Sequence, residues 1–301
     1  MTETTRSTPE PSAAPRAREE VLVTAGDLAT LRDMGMCPVL LDVRWSLAVP
    51  GSAPQTRADY EAGHIPGSLY VDLGRDLADH TETDPRAGRH PLPTPAQFQE
   101  TVRGWGLETD TPVVVYDDNA SQGAARCWWL LKWAGFTHVR VLDGGLSAWT
   151  GAGGDLSTEE SEPVPSQVPI TPGSMPTLDA DAVAALAQDA AATVLDARAP
   201  ERYRGDTEPL DPQAGHIPGA RNAPVTDNVD GQMFRSGEEL AGIYGSHGAL
   251  EGPVGVYCGS GVTASLDVLS LHLLGVDAAL YPGSWSAWSN DPARPVATGE
   301  E

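Results

Sequence analysis

Short β-branched and apolar runs alternate along the chain with stretches of helical periodicity. The runs predict strands at Val39–Val43, Val113–Tyr116, Val139–Leu142, 193–195 and Val254–Tyr257. Apolar residues recur at helical spacing in 124–134, 178–192 and 266–274, which predicts helices there. Strands that alternate with helices indicate an α/β fold with a largely parallel sheet flanked by helices.

The same four sequence blocks occur twice, in the same order. The pairs are 41–44 with 195–198, 62–68 with 214–220, 113–117 with 254–258, and 145–149 with 283–288. Matched blocks at long spacing indicate the duplication of a whole domain rather than a short-period repeat. We expect an N-terminal domain at 21–152 and a C-terminal domain at 177–301.

Two segments lack apolar periodicity. Residues 1–20 are rich in Thr, Pro, Ala, Arg and Glu, which predicts a disordered tail and excludes a secretory signal. Residues 153–176 are rich in Gly, Ser, Glu and Pro, which predicts a linker. A linker of this length lets the two domains face each other across a cleft, a preferred place for a small-molecule site.

The most distinctive motif follows the strand Val254–Tyr257. Cys258-Gly-Ser-Gly-Val-Thr263 is a short loop of mostly small residues that leads into a predicted helix. Strand, tight loop and helix N-terminus together point several backbone N–H groups at one spot. Such N–H groups favour a thiolate over a thiol, so Cys258 is predicted to be a nucleophile.

Charge and cysteine content exclude several classes of protein. There are 19 basic and 42 acidic residues, a formal net charge of −23, which argues against nucleic acid or an anionic membrane as partner. No apolar run approaches the ~20 residues of a membrane span, so a cytoplasmic location is expected. Three cysteines without a Cys-x-x-Cys pair argue against a disulfide framework or a zinc knuckle.

The duplicated Leu-Asp-(Val/Ala)-Arg and Gly-His-Ile-Pro-Gly blocks, with one Cys-Gly-Ser-Gly-Val-Thr loop, resemble the two-domain sulfurtransferases. These are the rhodanese and 3-mercaptopyruvate sulfurtransferase family. The resemblance implies two tandem rhodanese-like domains and no metal or organic cofactor. It also implies that Cys258 takes sulfur from a small anionic donor, thiosulfate or 3-mercaptopyruvate, and passes it as a persulfide to a thiophilic acceptor such as cyanide or a thiol.

The resemblance also assigns roles to the loop and its surroundings. Gly259, Gly261, Val262 and Thr263 would cradle the persulfide, and Ser260 would polarise the substrate or relay a proton. Arg202 would bind the donor carboxylate, with Arg204 and His90 as further substrate-binding residues. The family's second arginine is missing, because 210–213 carries Leu-Asp-Pro-Gln, and the acidic partner of the histidine falls near Gly74.

Other polar residues favour structural roles. His64 and His216 occupy matched turns in both copies, so they are expected to hold the fold. Arg126 is expected in a salt bridge, and Cys37 and Cys127 are expected to be buried. Asp117 stands where the first copy would need its nucleophile; since a carboxylate cannot carry a persulfide, the N-terminal domain is expected to be catalytically silent.

Three alternatives compete with sulfur transfer. A cysteine phosphatase needs an arginine six positions after its nucleophile, and Ala264 stands there. A cysteine hydrolase needs a histidine base, for which His90 is the candidate. A sulfur carrier or regulatory module without turnover would have the same loop sequence as an enzyme.

Overall fold

The computed structural model describes residues 14–47 and 55–300, which form two parallel β-sheets flanked by helices, one sheet in each half of the chain. In the N-terminal half the elements are α1 Arg18–Val21, β1 Leu22–Val23, α2 Ala25–Asp33, β2 Val39–Val43, α3 Arg57–Ala62, β3 Leu69–Val71, α4 Leu73–Asp76, α5 Pro95–Gly104, β4 Val113–Tyr116, α6 Gln122–Trp133, β5 Val139–Leu142 and α7 Gly145–Gly151. A 3₁₀ turn at Pro85–Ala87 lies between α4 and α5.

In the C-terminal half the elements are α8 Ala180–Leu186, β6 Thr193–Asp196, α9 Pro200–Arg204, β7 Arg221–Asn222, β8 Val229–Asp230, β9 Met233–Phe234, α10 Gly237–Ser246, β10 Val254–Tyr257, α11 Ala264–Leu273, β11 Ala279–Leu280 and α12 Ser284–Trp288. A second 3₁₀ turn, Val225–Asn228, precedes β8. The short strands β8 and β9 form a separate antiparallel hairpin.

The two sheets place equivalent strands at equivalent positions. The first has the order β1-β5-β4-β2-β3 and the second β11-β10-β6-β7, with parallel neighbours throughout. The strands β4 and β10 lie inside their sheets and are buried along their whole length, as expected of strands covered by helices on both faces. Asp117 and Cys258 each follow directly at the carboxyl end of these strands, where α/β sheets bind their ligands.

The predicted α/β class and its buried strands are confirmed, but one predicted helix is shorter than expected. The alanine-rich stretch 178–192 is helical only over Ala180–Leu186. Beyond it the carboxylate of Asp189 accepts a hydrogen bond from the Ala191 N–H at 2.9 Å. A short acidic side chain that bonds the local backbone offers the chain a turn in place of the helix.

The duplicated histidine turns are structural. His64 and His216 are buried, and each stacks on a tyrosine, with ring centroids 3.9 Å from Tyr60 and 3.8 Å from Tyr203. Their Nδ1 atoms bond the backbone oxygens of the same tyrosines. Because both copies use the histidine to fasten a turn, neither ring is available for chemistry at Cys258.

The two halves pack through α6 and α11, and one hydrophobic core runs across their interface. Trp128 of α6 meets His272 of α11 edge to face, at 5.1 Å between ring centroids. Asp143, which follows β5, is buried and accepts a hydrogen bond from the Phe234 N–H at 2.8 Å. This packing fixes the cleft between the halves.

The segments outside the repeats differ in part from expectation. Residues 1–13 of the predicted tail lie outside the described residues, but 14–20 are ordered: Arg16 bonds Asp277 at 2.7 Å and Arg18 bonds Asp143 at 2.8 Å. These two salt bridges attach the segment to carboxylates of both halves of the chain. Residues 153–176 contain no helix or strand. Cys127 is buried as expected, whereas Cys37 is exposed, since it follows a turn and precedes β2.

Candidate active site

Cys258 lies between the end of β10 and the start of α11, with 1% of its surface exposed. Its Sγ accepts a hydrogen bond from the Gly261 N–H at 3.2 Å. Gly261 has φ +76°, and a Cβ there would stand 2.4 Å from the Pro282 oxygen, so the turn requires glycine. The N–H groups of Trp285 and Ser286 in α12 bond the Cys258 and Gly259 oxygens at 2.9 Å and hold the loop from behind.

Several backbone N–H groups of this loop have no hydrogen-bond acceptor in the described part of the chain. Those of Ser260, Val262 and Thr263 meet no acceptor within 14–47 and 55–300. The equivalent loop in the first half shows how such donors are used: Asp117, at the position of the cysteine, accepts hydrogen bonds from four N–H groups at 2.9 to 3.0 Å, those of Asn119, Ser121, Gly123 and Ala124. In the first half a carboxylate fills the cradle; in the second half the cradle is open to an anion on the sulfur.

Ser260 contacts the other half of the chain through His90. Its Oγ lies 2.8 Å from His90 Nδ1, and the hydroxyl is buried. Burial, with Arg126 and Arg89 nearby, lowers the pKa of His90 to about 4, so the ring is neutral near pH 7. Among the described residues the ring bonds the Ser260 hydroxyl and no carboxylate.

Arg126 corrects an expectation. A salt bridge is expected for it, yet within the described residues the fully buried guanidinium bonds backbone oxygens alone: those of Gly261 at 3.0 Å, Leu77 at 3.1 Å and His90 at 3.1 Å. Burial lowers its pKa to about 10, with Cys258 opposing the shift, so the group stays charged at pH 7. A cation without a carboxylate partner among the described residues thus lies directly beneath the loop.

The structure separates the two predicted arginines of α9. Arg202 lines the cleft beside Gly259 and pairs with Glu208 at 2.7 Å and Asp211 at 3.2 Å. Arg204 does not reach the cleft, because residues two apart on a helix point in different directions. It pairs with Asp206 at 2.8 Å and lines a separate surface pocket.

Sequence inspection missed Arg89, the residue next to His90. Arg89 enters the cleft from the N-terminal half, pairs with Asp211, and lines the same space as Cys258 and Arg202. The cleft has a volume of about 140 Å³, and the apolar side chains of Trp45 and Val225 complete its walls. The position of Arg89 next to His90 was the one signal in the sequence that could have identified it.

A much larger cavity lies elsewhere. It measures about 890 Å³ and is lined by residues that include Arg16, Lys132 and His272, but it contains no cysteine. The predicted nucleophile Cys258 lines the smaller cleft instead. No group of histidine, cysteine and acidic side chains suited to holding a metal ion occurs in the part of the chain that the structure describes.

Comparison with known proteins gives the same class as the fold and the site. A model of the rhodanese-like domain matches residues 24–152 and 179–291. Two such domains, with a cysteine loop in the second, define a tandem rhodanese-like protein. The chain therefore belongs to the rhodanese family, and within it to the two-domain 3-mercaptopyruvate and thiosulfate sulfurtransferases.

The relatives show the extent of the match. SseB of Mycobacterium tuberculosis, whose name assigns it to the thiosulfate sulfurtransferases, is 46% identical over 94% of this chain and 99% of its own length. A Pseudomonas aeruginosa protein, named among the 3-mercaptopyruvate sulfurtransferases, is 42% identical over 87% and 93%. The crystal structure of SseA from Escherichia coli, a 3-mercaptopyruvate sulfotransferase, superposes with a TM-score of 0.76 at 32% identity, over 88% of this chain and 98% of that chain.

Proposed function

We propose that Cys258 carries sulfur as a persulfide between a small anionic donor and a thiophilic acceptor. The observation that carries this proposal is the open cradle: one N–H group already bonds Sγ and three neighbouring ones have no acceptor among the described residues. An added sulfur would bear the negative charge, and the N–H groups of Ser260, Val262 and Thr263, which belong to the same loop, would bond it. Gly261, with φ +76°, gives the chain the turn that this requires.

The first half-reaction depends on the donor. With thiosulfate, the Cys258 thiolate attacks the outer sulfur, the sulfur–sulfur bond of the donor breaks, and sulfite leaves with the electron pair. With 3-mercaptopyruvate, the thiolate attacks the thiol sulfur, the carbon–sulfur bond breaks, and the thiol proton ends on the methyl carbon of pyruvate. Only the second reaction moves a proton, which gives Ser260 and His90 a specific task.

The second half-reaction regenerates the enzyme. Cyanide or a thiolate attacks the outer sulfur of the persulfide, the persulfide bond breaks, and its electron pair returns to Cys258 as thiolate. The Arg126 cation beneath the loop favours the anionic sulfur in both states. Arg202 would hold the anionic group of the donor through its guanidinium.

The partners follow from charge. With a net charge of −23 the protein attracts neither nucleic acid nor an anionic membrane surface, so its partners would be small sulfur compounds. A cytoplasmic location fits a reduced cysteine nucleophile. No helix of the described residues is long and apolar enough to cross a membrane. The predicted boundaries 21–152 and 177–301 stay a prediction.

The test compares Cys258→Ser with Cys37→Ser, a matched change at an exposed thiol. Each variant is assayed for sulfur transfer to cyanide from both donors and weighed by mass spectrometry after exposure to donor alone. Sulfur transfer and the added sulfur atom should both vanish in Cys258→Ser and persist in Cys37→Ser. A stable added sulfur in the unmodified protein without turnover of either donor would instead indicate a carrier, and retained turnover in Cys258→Ser would reject the proposal.

A further inference from the structure

Two guanidinium groups from different halves of the chain meet beside the nucleophile. Arg89 Nη2 lies 3.0 Å, and Arg202 Nη1 lies 3.5 Å, from the point that a Cβ on Gly259 would occupy. Gly259 directly follows Cys258, and both arginines line the cleft that Cys258 also lines. Neither nitrogen has an acceptor within the described ranges, although both arginines are otherwise engaged.

The carboxylates that hold these arginines bond their other nitrogens. Asp211 accepts hydrogen bonds from Arg89 Nη1 and Arg202 Nη2, and so ties the two guanidinium groups together. Glu208 accepts hydrogen bonds from Nε and Nη2 of Arg202. The acidic residues thus fix the orientation of the two guanidinium groups and leave Arg89 Nη2 and Arg202 Nη1 without an acceptor among the described residues.

The loop that carries Arg89 is built into the C-terminal half. Gly88 approaches α12 so closely that a Cβ there would stand 2.7 Å from the Gly283 oxygen, and the Arg89 N–H bonds Ser286 Oγ at 3.0 Å. His90, the next residue, bonds Ser260. Arg89 is therefore held in place by its own backbone, which is what a binding residue requires.

We propose that Arg89 is the second donor-binding arginine of the cleft, in place of the one absent from 210–213, and that the pair selects thiosulfate over 3-mercaptopyruvate. This inference rests on the proposed function. The sulfonate oxygens of thiosulfate sit on the atom bonded to the transferred sulfur, within reach of guanidinium groups beside Gly259. The carboxylate of 3-mercaptopyruvate is separated from its sulfur by two further carbon atoms.

The chemistry of transfer agrees with this placement. The thiolate of Cys258 attacks the outer sulfur, the donor's sulfur–sulfur bond breaks, and the pair of electrons leaves with sulfite, a dianion. Two guanidinium forks can hold the oxygens of the departing sulfite as its charge develops. The persulfide then keeps a single negative charge, which the N–H groups of the loop receive.

The test is steady-state kinetics with each donor, with cyanide as acceptor, on the full chain and its Arg89→Gln variant. Arg86→Gln is the matched control, because Arg86 lies on the same loop and pairs only with Asp84 at 2.7 Å. Unmodified protein should prefer thiosulfate by kcat/KM. Arg89→Gln should raise the KM for thiosulfate about tenfold or more, the effect of one charge-assisted hydrogen bond, and the KM for 3-mercaptopyruvate less than about threefold.

A second variant distinguishes donor binding by Arg89 from a structural role of its ion pair with Asp211 between the two halves. Asp211→Asn weakens the same ion pair but removes a negative charge from beside the donor, so the KM for thiosulfate should not rise. A KM that rises equally in Arg89→Gln and Asp211→Asn, or equally for both donors in Arg89→Gln, would overturn the inference. If Arg89→Gln does not fold, Arg89→Lys, which keeps the charge and loses the fork, should show the same donor-selective rise. Absence of transfer from either donor in the unmodified protein would instead reject the proposed function.

Discussion

Acid pH should destabilise the folded protein through the proton equilibrium of His90. Its pKa falls from 6.5 to about 4 on folding, mainly because the ring is buried and also because Arg126 and Arg89 lie nearby. Between these two values the unfolded chain binds a proton that the folded chain does not. Stability from this group is therefore complete above pH 6.5 and is lost progressively as the pH falls towards 4.

The size of the effect follows from the two pKa values. From pH 7 to pH 5 the unfolded histidine becomes almost fully protonated while the folded one stays neutral. At 1.36 kcal/mol for each pH unit below 6.5, the folded state loses about 2 kcal/mol relative to a chain without this histidine. His272, whose pKa burial also lowers to about 4, acts in the same direction but is present in both chains compared.

The assay is urea denaturation of the unmodified protein and of His90→Gln, each at pH 7 and pH 5. His90→Gln keeps a polar amide at the site and cannot titrate there, so its loss of stability between the two pH values should be smaller by about 2 kcal/mol. Ser260→Ala is the control: since burial is the largest cause of the shift, it should retain the pH dependence of the unmodified protein. Equal pH dependence in the unmodified protein and His90→Gln would refute the reasoning.

The remaining predictions concern the loop and the interface. Gly261→Ala puts a Cβ at φ +76° and 2.4 Å from a backbone oxygen, so it should lower the free energy of unfolding by at least ~1–2 kcal/mol and abolish sulfur transfer; urea denaturation and turnover assays measure both. Arg126→Met should slow alkylation of Cys258 by iodoacetamide at pH 7 about tenfold, by removal of a nearby cation, and an unchanged rate would contradict this. Asp143→Ala leaves the buried Phe234 N–H without its acceptor and should lower the free energy of unfolding by about 1–3 kcal/mol, measured by urea denaturation. Asp143→Asn keeps an oxygen acceptor and should lower it by only part of that amount.

Sequence patterns were sufficient where the site is built from consecutive residues. The Cys258 loop is contiguous, so its strand, turn and helix could be recognised from residue type and spacing, and Gly261 has the conformation that the motif implies. That the first half is catalytically silent stays a prediction, and the bonds of Asp117 agree with it. Asp117 fills its own cradle with a carboxylate, and no N–H group that it occupies is left for a substrate.

Spacing could not identify the groups that reach the cleft from the other half. Arg89 and Arg126 lie far from Cys258 in the chain, and only the packing of α6 on α11 and the fit of the Arg89 loop against α12 bring them near it. Arg204 was misplaced for the opposite reason. It is close to Arg202 in sequence, yet helix geometry turns it to another face.

The first half brings charged and polar side chains to the cleft, and a carboxylate rather than a thiol stands at the position equivalent to Cys258. Asp117, at the position equivalent to Cys258, binds its own loop, while three side chains of this half reach the Cys258 loop: His90 bonds Ser260, Arg126 bonds Gly261, and Arg89 lies beside Gly259. In a chain with a net charge of −23, a small anion is repelled at long range and is retained only where cations are fixed at short range. Because those cations come from both halves, the site exists only when the halves are packed together.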